Sequence, residues 1–378
     1  MSENLNEQQQ RIRNLARAVA EEVAPLIREP VRKREFPWKA VHRMQEAGLL
    51  RLRIPKAYGG EEADFVSLCL AQQELARIDV GLANFISDQT VPSQLLRAHV
   101  TEKQRSTFFP PIVQNKGLWC FSATEPLAGS DLGAMKTMAV RKGSRYVLNG
   151  HKTWASTGGT ATLYVILAST EPARKIGGLS AFIVGRETPG FKIGREIPKI
   201  GWQTMSTTEL FLENVEIPEE NRIGNEGDGF KLFVSALVPG RLGIAAQALG
   251  VAQAAYEYAR DYTRQRIQFG RPVAEFQAVR FMLADMATEI QASELLTYYT
   301  ARAADAGSGE VEKLSAMAKY YVSDVAMKTT IDAIQLLGAA GYCEDHPVER
   351  MMRDAKGLQI ADGTNQIMRV VVAKAILG

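Results

Sequence analysis

The sequence predicts an α+β protein in three parts: an N-terminal helical domain (1–114), a central antiparallel β-barrel (115–225) and a C-terminal four-helix bundle (226–378). Three observations carry this. Apolar residues recur at helical spacing as far as about Ile112, alternating and β-branched stretches replace them from about Asn115 to Arg222, and helical spacing returns after Gly227. At 378 residues and 46% hydrophobic, the chain has apolar surface for more than one core.

In the first part, Ile12, Leu15, Ala16, Val19 and Val23 mark a helix that Pro25, Pro30 and Pro37 are expected to break. Ile54 to Gly60 reads as a turn before a second helical run from Phe65 through Leu75. In the middle part, Thr137 to Val140, Arg145 to Leu148, Leu163 to Leu167 and Leu179 to Val184 read as strands. Turns are expected at Lys142-Gly143-Ser144, Asn149-Gly150 and Pro189-Gly190, and that spacing favours antiparallel neighbours. No Gly-x-Gly-x-x-Gly follows a strand and opens a helix, so a nicotinamide Rossmann site has no support. In the last part, Ala245, Ala248, Leu249, Ala252 and Tyr256 form one apolar stripe, and Phe281, Met282, Ala284, Met286 and Ile290 supply another. Small residues on these stripes permit close helix approach.

Charge and cysteine usage narrow the function classes. Forty-five basic against 42 acidic residues give a net charge of +3, with no long single-sign run to serve nucleic acid or a membrane surface. The expected partners are small molecules and proteins. Cys69, Cys120 and Cys343, and His42, His99, His151 and His346, are scattered without metal or redox spacing, so no metal site is expected and a reducing cytoplasm fits. The opening Met1 to Glu7 is polar and acidic, unlike a signal peptide, and no uninterrupted apolar run approaches the roughly 18 residues of a membrane span.

Three segments carry chemistry: Thr124-Glu125-Pro126-Leu127-Ala128-Gly129-Ser130-Asp131, Arg266-Ile267-Gln268-Phe269-Gly270, and Asp354-Ala355-Lys356 followed by Ile360-Ala361-Asp362-Gly363-Thr364-Asn365-Gln366. Together they resemble the acyl-CoA dehydrogenases, flavoenzymes that desaturate thioesters next to the carbonyl, and the resemblance covers nearly the whole chain. It implies FAD as cofactor, since protein side chains cannot accept hydride. It also implies an acyl-CoA substrate, an electron-transfer flavoprotein as acceptor, and a homotetramer built as a dimer of dimers.

Carried over residue by residue, the resemblance places Phe121, Ser122, Ala123 and Thr124 along the flavin, with the Thr124 hydroxyl bonding its pyrimidine end. Ser130 corresponds to a contact with the pantetheine or pyrophosphate of CoA. Lys152-Thr153-Trp154-Ala155-Ser156-Thr157 resembles the family's Lys-x-Trp-Ile-Ser/Thr-Asn: Trp154 would cover one face of the isoalloxazine and Ser156 would bond N5, while Thr157 stands where asparagine is usual. Arg266, Phe269 and Gln277 match the segment that meets the FAD pyrophosphate of a neighbouring subunit, and Gln335 to Gly341, including Gly338, resembles the run that supplies amides to the same FAD. Ala339 replaces a usual glycine there. Thr364 and Gln366 would touch the flavin side of the catalytic turn.

The resemblance makes Asp362 the catalytic base, where glutamate is the family's usual residue, with Ala361 where tyrosine is common. One methylene fewer retracts the carboxylate by about 1.5 Å, and Ala361 and Gly363 leave room for bulk at Cα or Cβ. In a branched-chain and long-chain subset the base sits instead just before an arginine on a bundle helix. Gly240 stands at that place, ahead of Arg241, which remains a positive charge near the site. Asp88 falls at the deep end of the acyl pocket, where it either faces solvent on a helix turn or lines the pocket. If it lines the pocket, the chain resembles the alicyclic acyl-CoA dehydrogenases, in which an aspartate of this helix takes a ring proton, and Asp88 with Asp362 points to cyclohexane- or cyclohexene-carboxyl-CoA. The alternatives are a general short- or branched-chain dehydrogenase and a nitroalkane-oxidase-like enzyme that returns electrons to oxygen. A catalytically silent or nucleic-acid-binding relative ranks last, because such proteins carry a basic added domain.

Overall fold

The computed structural model describes residues 5–378; Met1–Asn4, which contribute to the expectation of a polar N-terminus, lie outside the described residues. Five helices come first: α1 (Glu7–Lys33), α2 (Trp38–Glu46), α3 (Phe65–Ala76), α4 (Val80–Ala98) and α5 (Glu102–Val113). A capping box between Asn6 and Gln9 starts α1. Contrary to expectation, α1 runs through Pro25 and Pro30 and stops only at Arg34, whose left-handed φ of 56° turns the chain toward Pro37. Burial of Ile12, Ala16, Val19, Ala20, Val23 and Ile27 along one face outweighs the two amide hydrogens that proline removes.

Eight strands follow: β1 (Trp119–Ser122), β2 (Met138–Lys142), β3 (Arg145–Ser156), β4 (Leu163–Ser169), β5 (Leu179–Gly185), β6 (Phe191–Glu196), β7 (Thr207–Pro218) and β8 (Arg222–Ile223). They form one sheet in the order β6-β7-β3-β2-β4-β5-β8, with β1 added alongside β4. The sheet is open and mixed, which corrects the expected closed antiparallel barrel. Strand β1 runs parallel to β4 along its whole length, and β2 meets β4 in parallel at one pair. Turn residues report only sequence-adjacent strands, and these parallel pairs join strands far apart in the chain. Asn149-Gly150 is likewise not a turn but a register shift inside β3, opposite Val215 to Leu212 of β7.

The remaining elements are α6 (Gly229–Gln265), a hairpin of β9 (Ile267–Gln268) and β10 (Arg271–Pro272), α7 (Gln277–Asp305), α8 (Val311–Leu337), α9 (Val348–Leu358) and α10 (Asn365–Leu377). Helix α6 does reach the length and mean hydropathy of a membrane span, which uninterrupted apolar runs did not reveal. Its apolar window is 78% buried within the protein, against α3, α4 and α8. It is the core helix shared by the first and last parts. The first predicted stripe is buried at Ala245, Ala248, Leu249 and Ala252. The second is only half so: Met286 and Ile290 are buried, whereas Phe281 is 60% exposed.

The middle part is locked to the last by Trp202 and Asp354. Asp354 Oδ1 accepts the Trp202 backbone N–H at 2.6 Å, and the Asp354 carbonyl accepts the indole N–H at 2.9 Å. Burial, with Asp79 close by, lifts the Asp354 carboxyl to about 7. Helix α9 leads from this lock directly into the 359–364 turn. A Cβ on Gly201 would lie 2.5 Å from the Arg353 carbonyl oxygen, so Gly201→Ala should destabilise the fold by about 1–3 kcal/mol through forced displacement. Thermal unfolding checks this against Gly129→Ala, where a Cβ meets nothing within 4 Å and no change is expected.

Candidate active site

The turn between α9 and α10 presents Asp362 and Gly363 in successive left-handed conformations, φ 53° and 93°. Aspartate tolerates that region better than most side chains. At Gly363 the positive φ favours glycine, and a Cβ would also press on the mobile end of Met368, 2.7 Å from Cε. Helix α8 clamps this turn from both ends. Lys319 Nζ donates to the Gly363 carbonyl at 2.7 Å and to Asn365 Oδ1 at 2.9 Å. Five residues along α8, Asp324 accepts from Gln359 Nε2 at 2.7 Å, Asn365 Nδ2 at 2.7 Å and Arg369 Nη2 at 2.8 Å.

The Asp362 carboxylate lies against α6 at Gly240, where a Cβ would come within 2.5 Å of Oδ2 and 3.6 Å of Val91 Cγ2. Gly240 is therefore more than a missing base; it is the slot that receives the carboxylate. Burial lifts the Asp362 carboxyl above the ordinary range, opposed by the positive charges of Lys319 and Arg241. Lys319 is itself pushed down to about 7 by burial, with Asp362 opposing and Arg241 adding to the fall. Arg241 is 3% exposed, and its Nε and Nη1 have no hydrogen-bond partner. The backbone N–H of Asp362 makes no backbone hydrogen bond, which leaves it available to a ligand carbonyl.

Asp88, on α4, does not sit in open solvent. Its Oδ2 is buried without a partner, while Oδ1 accepts from Asn84 Nδ2 at 3.3 Å. Burial, then the nearby charge of Asp362, push its carboxyl well above the usual range. The two predicted carboxylates therefore share one region, with the cations behind Asp362.

The residues expected along a flavin form a second group. Glu125 and Lys152 make a buried ion pair at 2.8 Å; Lys152 also donates to the Ala123 carbonyl at 3.1 Å, and Glu125 accepts the Lys136 and Thr137 amides. This ties the 121–125 segment to β3, as does the Thr153 N–H on the Thr124 carbonyl. Burial lowers Lys152 to about 8, with Glu125 opposing, and Lys152 in turn holds the Glu125 carboxyl below its usual value. Next to this lock, Trp154 has φ 57° and is 57% exposed, with Thr124 and Ser156 half-buried beside it. Ser122 Oγ is buried without a partner. A broad uncovered aromatic face with unpaired polar atoms beside it fits a planar heteroaromatic ring. Ser130 is exposed on the adjoining turn.

Arg266, Phe269, Gln277, Gln335 and Gly338 lie on the outer end of the bundle, all exposed, Phe269 by 92%. No hydrogen bond or ring contact joins them to the Trp154 group within one chain. Thr364 caps α10 by accepting the Ile367 N–H, and Gln366 is exposed beside it. The sequence reading did not assign Lys319, Asp324, Asn365 or Glu125. A lysine at 319 among Ser315, Ala316, Val322 and Ser323, on the buried face of α8, was the available signal.

Three family models together match most of the chain: the acyl-CoA dehydrogenase N-terminal domain over residues 6–116, the middle domain over 120–215 and the C-terminal domain over 227–377. Among curated relatives, the acyl-CoA dehydrogenase of Bacillus subtilis is 41% identical over 377 residues, covering 99% of both chains. The cyclohex-1-ene-1-carbonyl-CoA dehydrogenase of Geobacter metallireducens is 42% identical over 376 residues, again 99% of both. Two solved structures superpose with a TM-score of 0.96 over 100% of each chain: one from a study of the electron transferring flavoprotein of Acidaminococcus fermentans, at 41% identity, and butyryl-CoA dehydrogenase of Megasphaera elsdenii, at 38%. The chain belongs to the acyl-CoA dehydrogenase family, whose members are FAD-binding oxidoreductases acting on CH–CH bonds.

Two outcomes follow from this geometry. Gly240→Ala should leave the melting temperature near wild type but lower turnover on the order of 100-fold, because displacing a reacting group by about 1 Å costs that much; steady-state kinetics check it. Asp362 must be ionised to take a proton, so activity rises with pH through its elevated pKa. Lys319→Met removes a charge that holds this pKa down, and the acid limb of the kcat/KM profile should move to higher pH.

Proposed function

We propose that this FAD-dependent acyl-CoA dehydrogenase desaturates a cyclic or α-branched acyl-CoA, best matched by cyclohexanecarboxyl-CoA or cyclohex-1-ene-1-carboxyl-CoA. The observation that carries the reading is the pairing of Asp362 with Asp88, whose Oδ2 is buried and unpartnered. A lone carboxylate beside an aliphatic tail is costly to bury. It repays that cost if it receives a proton from the substrate. The 42% identity to a cyclohexene-carbonyl-CoA dehydrogenase over 99% of both chains supports the same class.

In this reading Asp362 takes the α-proton, held against Gly240 and kept ionised by Lys319 and Arg241. Its backbone N–H polarises the thioester carbonyl. Asp88 takes a proton from a ring carbon away from Cα when the substrate already carries a double bond there. Bound FAD supplies hydride acceptance. Trp154, Thr124, Ser156 and the 121–124 backbone are the residues that would hold its ring, and Ser130 would meet the CoA moiety. Ala361 and Gly363 leave the room at the turn that a ring needs. Like-charge repulsion from Asp88 disfavours an acyl tail ending in a carboxylate.

Arg266, Phe269, Gln277, Gln335 and Gly338 would meet FAD from a neighbouring copy. Their exposure, with Ile267, Phe269, Phe281 and Tyr342 uncovered at the same end, supports a homotetramer built from dimers. An electron-transfer flavoprotein is the proposed electron acceptor, and three unpaired cysteines fit a cytoplasmic setting. A second reading, a general short- or branched-chain dehydrogenase, draws on the butyryl-CoA dehydrogenase at 38% identity.

Anaerobic flavin bleaching by a panel of straight, branched and alicyclic acyl-CoAs separates the two. Asp362→Asn should slow bleaching by every substrate on the order of 1,000-fold or more, the range for losing a positioned base. Asp88→Ala should spare straight chains and suppress the alicyclic response. Equal response to straight and alicyclic thioesters in the wild type would reject the proposed specificity.

A further inference from the structure

Three helices bury four neutral polar side chains beside Asp88, and the reaction as described uses none of them. They are Gln72 on α3, Asn84 and Ser87 on α4, and Gln247 on α6, between 0% and 5% exposed. Ser87 Oγ donates to Gln72 Oε1 at 2.7 Å, and Gln247 Nε2 donates to the same oxygen at 2.6 Å. Gln247 Nε2 also lies 3.3 Å from Asn84 Oδ1 and 3.2 Å from Ser87 Oγ. Asn84 then points its amide nitrogen at Asp88 Oδ1, 3.3 Å away, and at Met205 Sδ, 3.5 Å away.

The direction of this chain is fixed by chemistry. An ionised carboxylate only accepts, so Asn84 must offer it nitrogen. Its oxygen then faces Gln247, which must offer nitrogen in turn. Reversing Asn84 would set oxygen against carboxylate and nitrogen against nitrogen. Helix α6 makes room for the arrangement with one stripe: Gly240 receives Asp362, a Cβ on Gly243 would collide with Ser87 and lie 2.7 Å from Gln72 Oε1, and Gln247 follows one turn on. The same helix face thus seats Asp362 directly and reaches Asp88 through Gln247 and Asn84. Gln72 Nε2 and Gln247 Oε1 are buried without a partner, so the cluster is incompletely satisfied and costs stability, and what it offers in return lies at its open end. That end holds Oδ1 of Asp88 and leaves Oδ2 free.

We infer that Gln247 and Asn84, with Gln247 anchored by Gln72 and Ser87, form a hydrogen-bond relay directed toward Asp88 that fixes its orientation as second proton acceptor, with Asn84 as the terminal positioning residue that selects for alicyclic substrates. The inference rests on the role proposed above for Asp88. The titratable groups that face Asp88 are Asp362 from the catalytic turn and Cys120 from β1; Lys319 on α8 and Arg241 on α6 lie behind Asp362. Within this set Asn84 is the one donor to Asp88, and it favours the charged form.

The test uses the FAD-loaded protein with Asn84→Ala, Gln247→Leu, Asp88→Ala and the Asn84→Ala/Asp88→Ala pair. The quantity read is the ratio of bleaching rates with cyclohexanecarboxyl- or cyclohexenecarboxyl-CoA to that with butyryl-CoA. Asn84→Ala should lower the ratio about tenfold, the size of one hydrogen bond to a charged group, and Gln247→Leu should lower it less. The acid limb for the alicyclic substrate should move to higher pH, because the lost donor favoured the carboxylate. The infrared carboxyl band of Asp88, isolated as the difference between wild type and Asp88→Asn, should titrate at higher pH in Asn84→Ala. In the Asp88→Ala background, Asn84→Ala should change the ratio no further. An equal loss for both substrates, an unmoved infrared titration, or a full effect of Asn84→Ala without Asp88 would overturn the relay. If Asp88→Ala alone leaves the ratio at its wild-type value, the proposed role of Asp88 fails, while the infrared titration still decides whether Asn84 governs the Asp88 carboxyl.

Discussion

The grip of α8 on the 359–365 turn is the constraint from which the rest of the site follows. A turn with two successive left-handed residues has little internal reason to hold one shape. Lys319 and Asp324 supply that reason by bonding its ends with opposite charges, so the turn cannot rotate without stranding the buried Lys319 ammonium and breaking the Asp324 bonds. The Trp202–Asp354 lock fixes the helix that enters the turn, and Thr364 caps the helix that leaves it. With both flanks held, the Asp362 carboxylate has one resting place, against Gly240.

The two carboxylates differ in how they are neutralised. Asp362 has cations behind it, and they oppose the rise that burial imposes. Asp88 has only amides and a neighbouring negative charge, so burial and repulsion act together. Two like groups in one region are thereby separated in affinity for a proton, the general means by which paired carboxyls take different roles. The carboxyl that forms when Asp88 receives a proton can rest beside an aliphatic ring at little cost. An ionised Asp362 is ready for the more acidic hydrogen beside the carbonyl.

Much of this was legible in the sequence because its signals are local. Helical spacing placed α3 and the buried stripe of α6, Lys142-Gly143-Ser144 placed the β2–β3 hairpin, and the Asp362 and Trp154 motifs singled out the two groups of residues from which the candidate site is built. What was not legible depends on partners distant in the chain. The parallel seam between β1 and β4 joins residues about 40 positions apart, and no turn announces it. Pro25 and Pro30 read as breaks because local preference was weighed without the buried face that overrides it. Glu125 was visible within a motif, yet its role needed Lys152 from another strand. The amides of Gln72, Asn84 and Gln247 read as ordinary helix residues until three helices brought them together.

The shortened base and the glycine at 240 are best understood as one device. Measured from a fixed turn, a carboxylate can approach α6 only as far as the residue facing it allows. With no Cβ at Gly240, Asp362 Oδ2 occupies space that any other side chain would claim. A glutamate from the same backbone position would extend about 1.5 Å further and would have to fold back or leave the slot. The slot therefore selects aspartate as firmly as the aspartate requires the slot. That retraction, with a small Ala361 beside it, puts less bulk at the turn than a longer acid and a larger neighbour would. The proposed preference for a ring draws on that reduced bulk, which a ring would need to bring its α-hydrogen to the base.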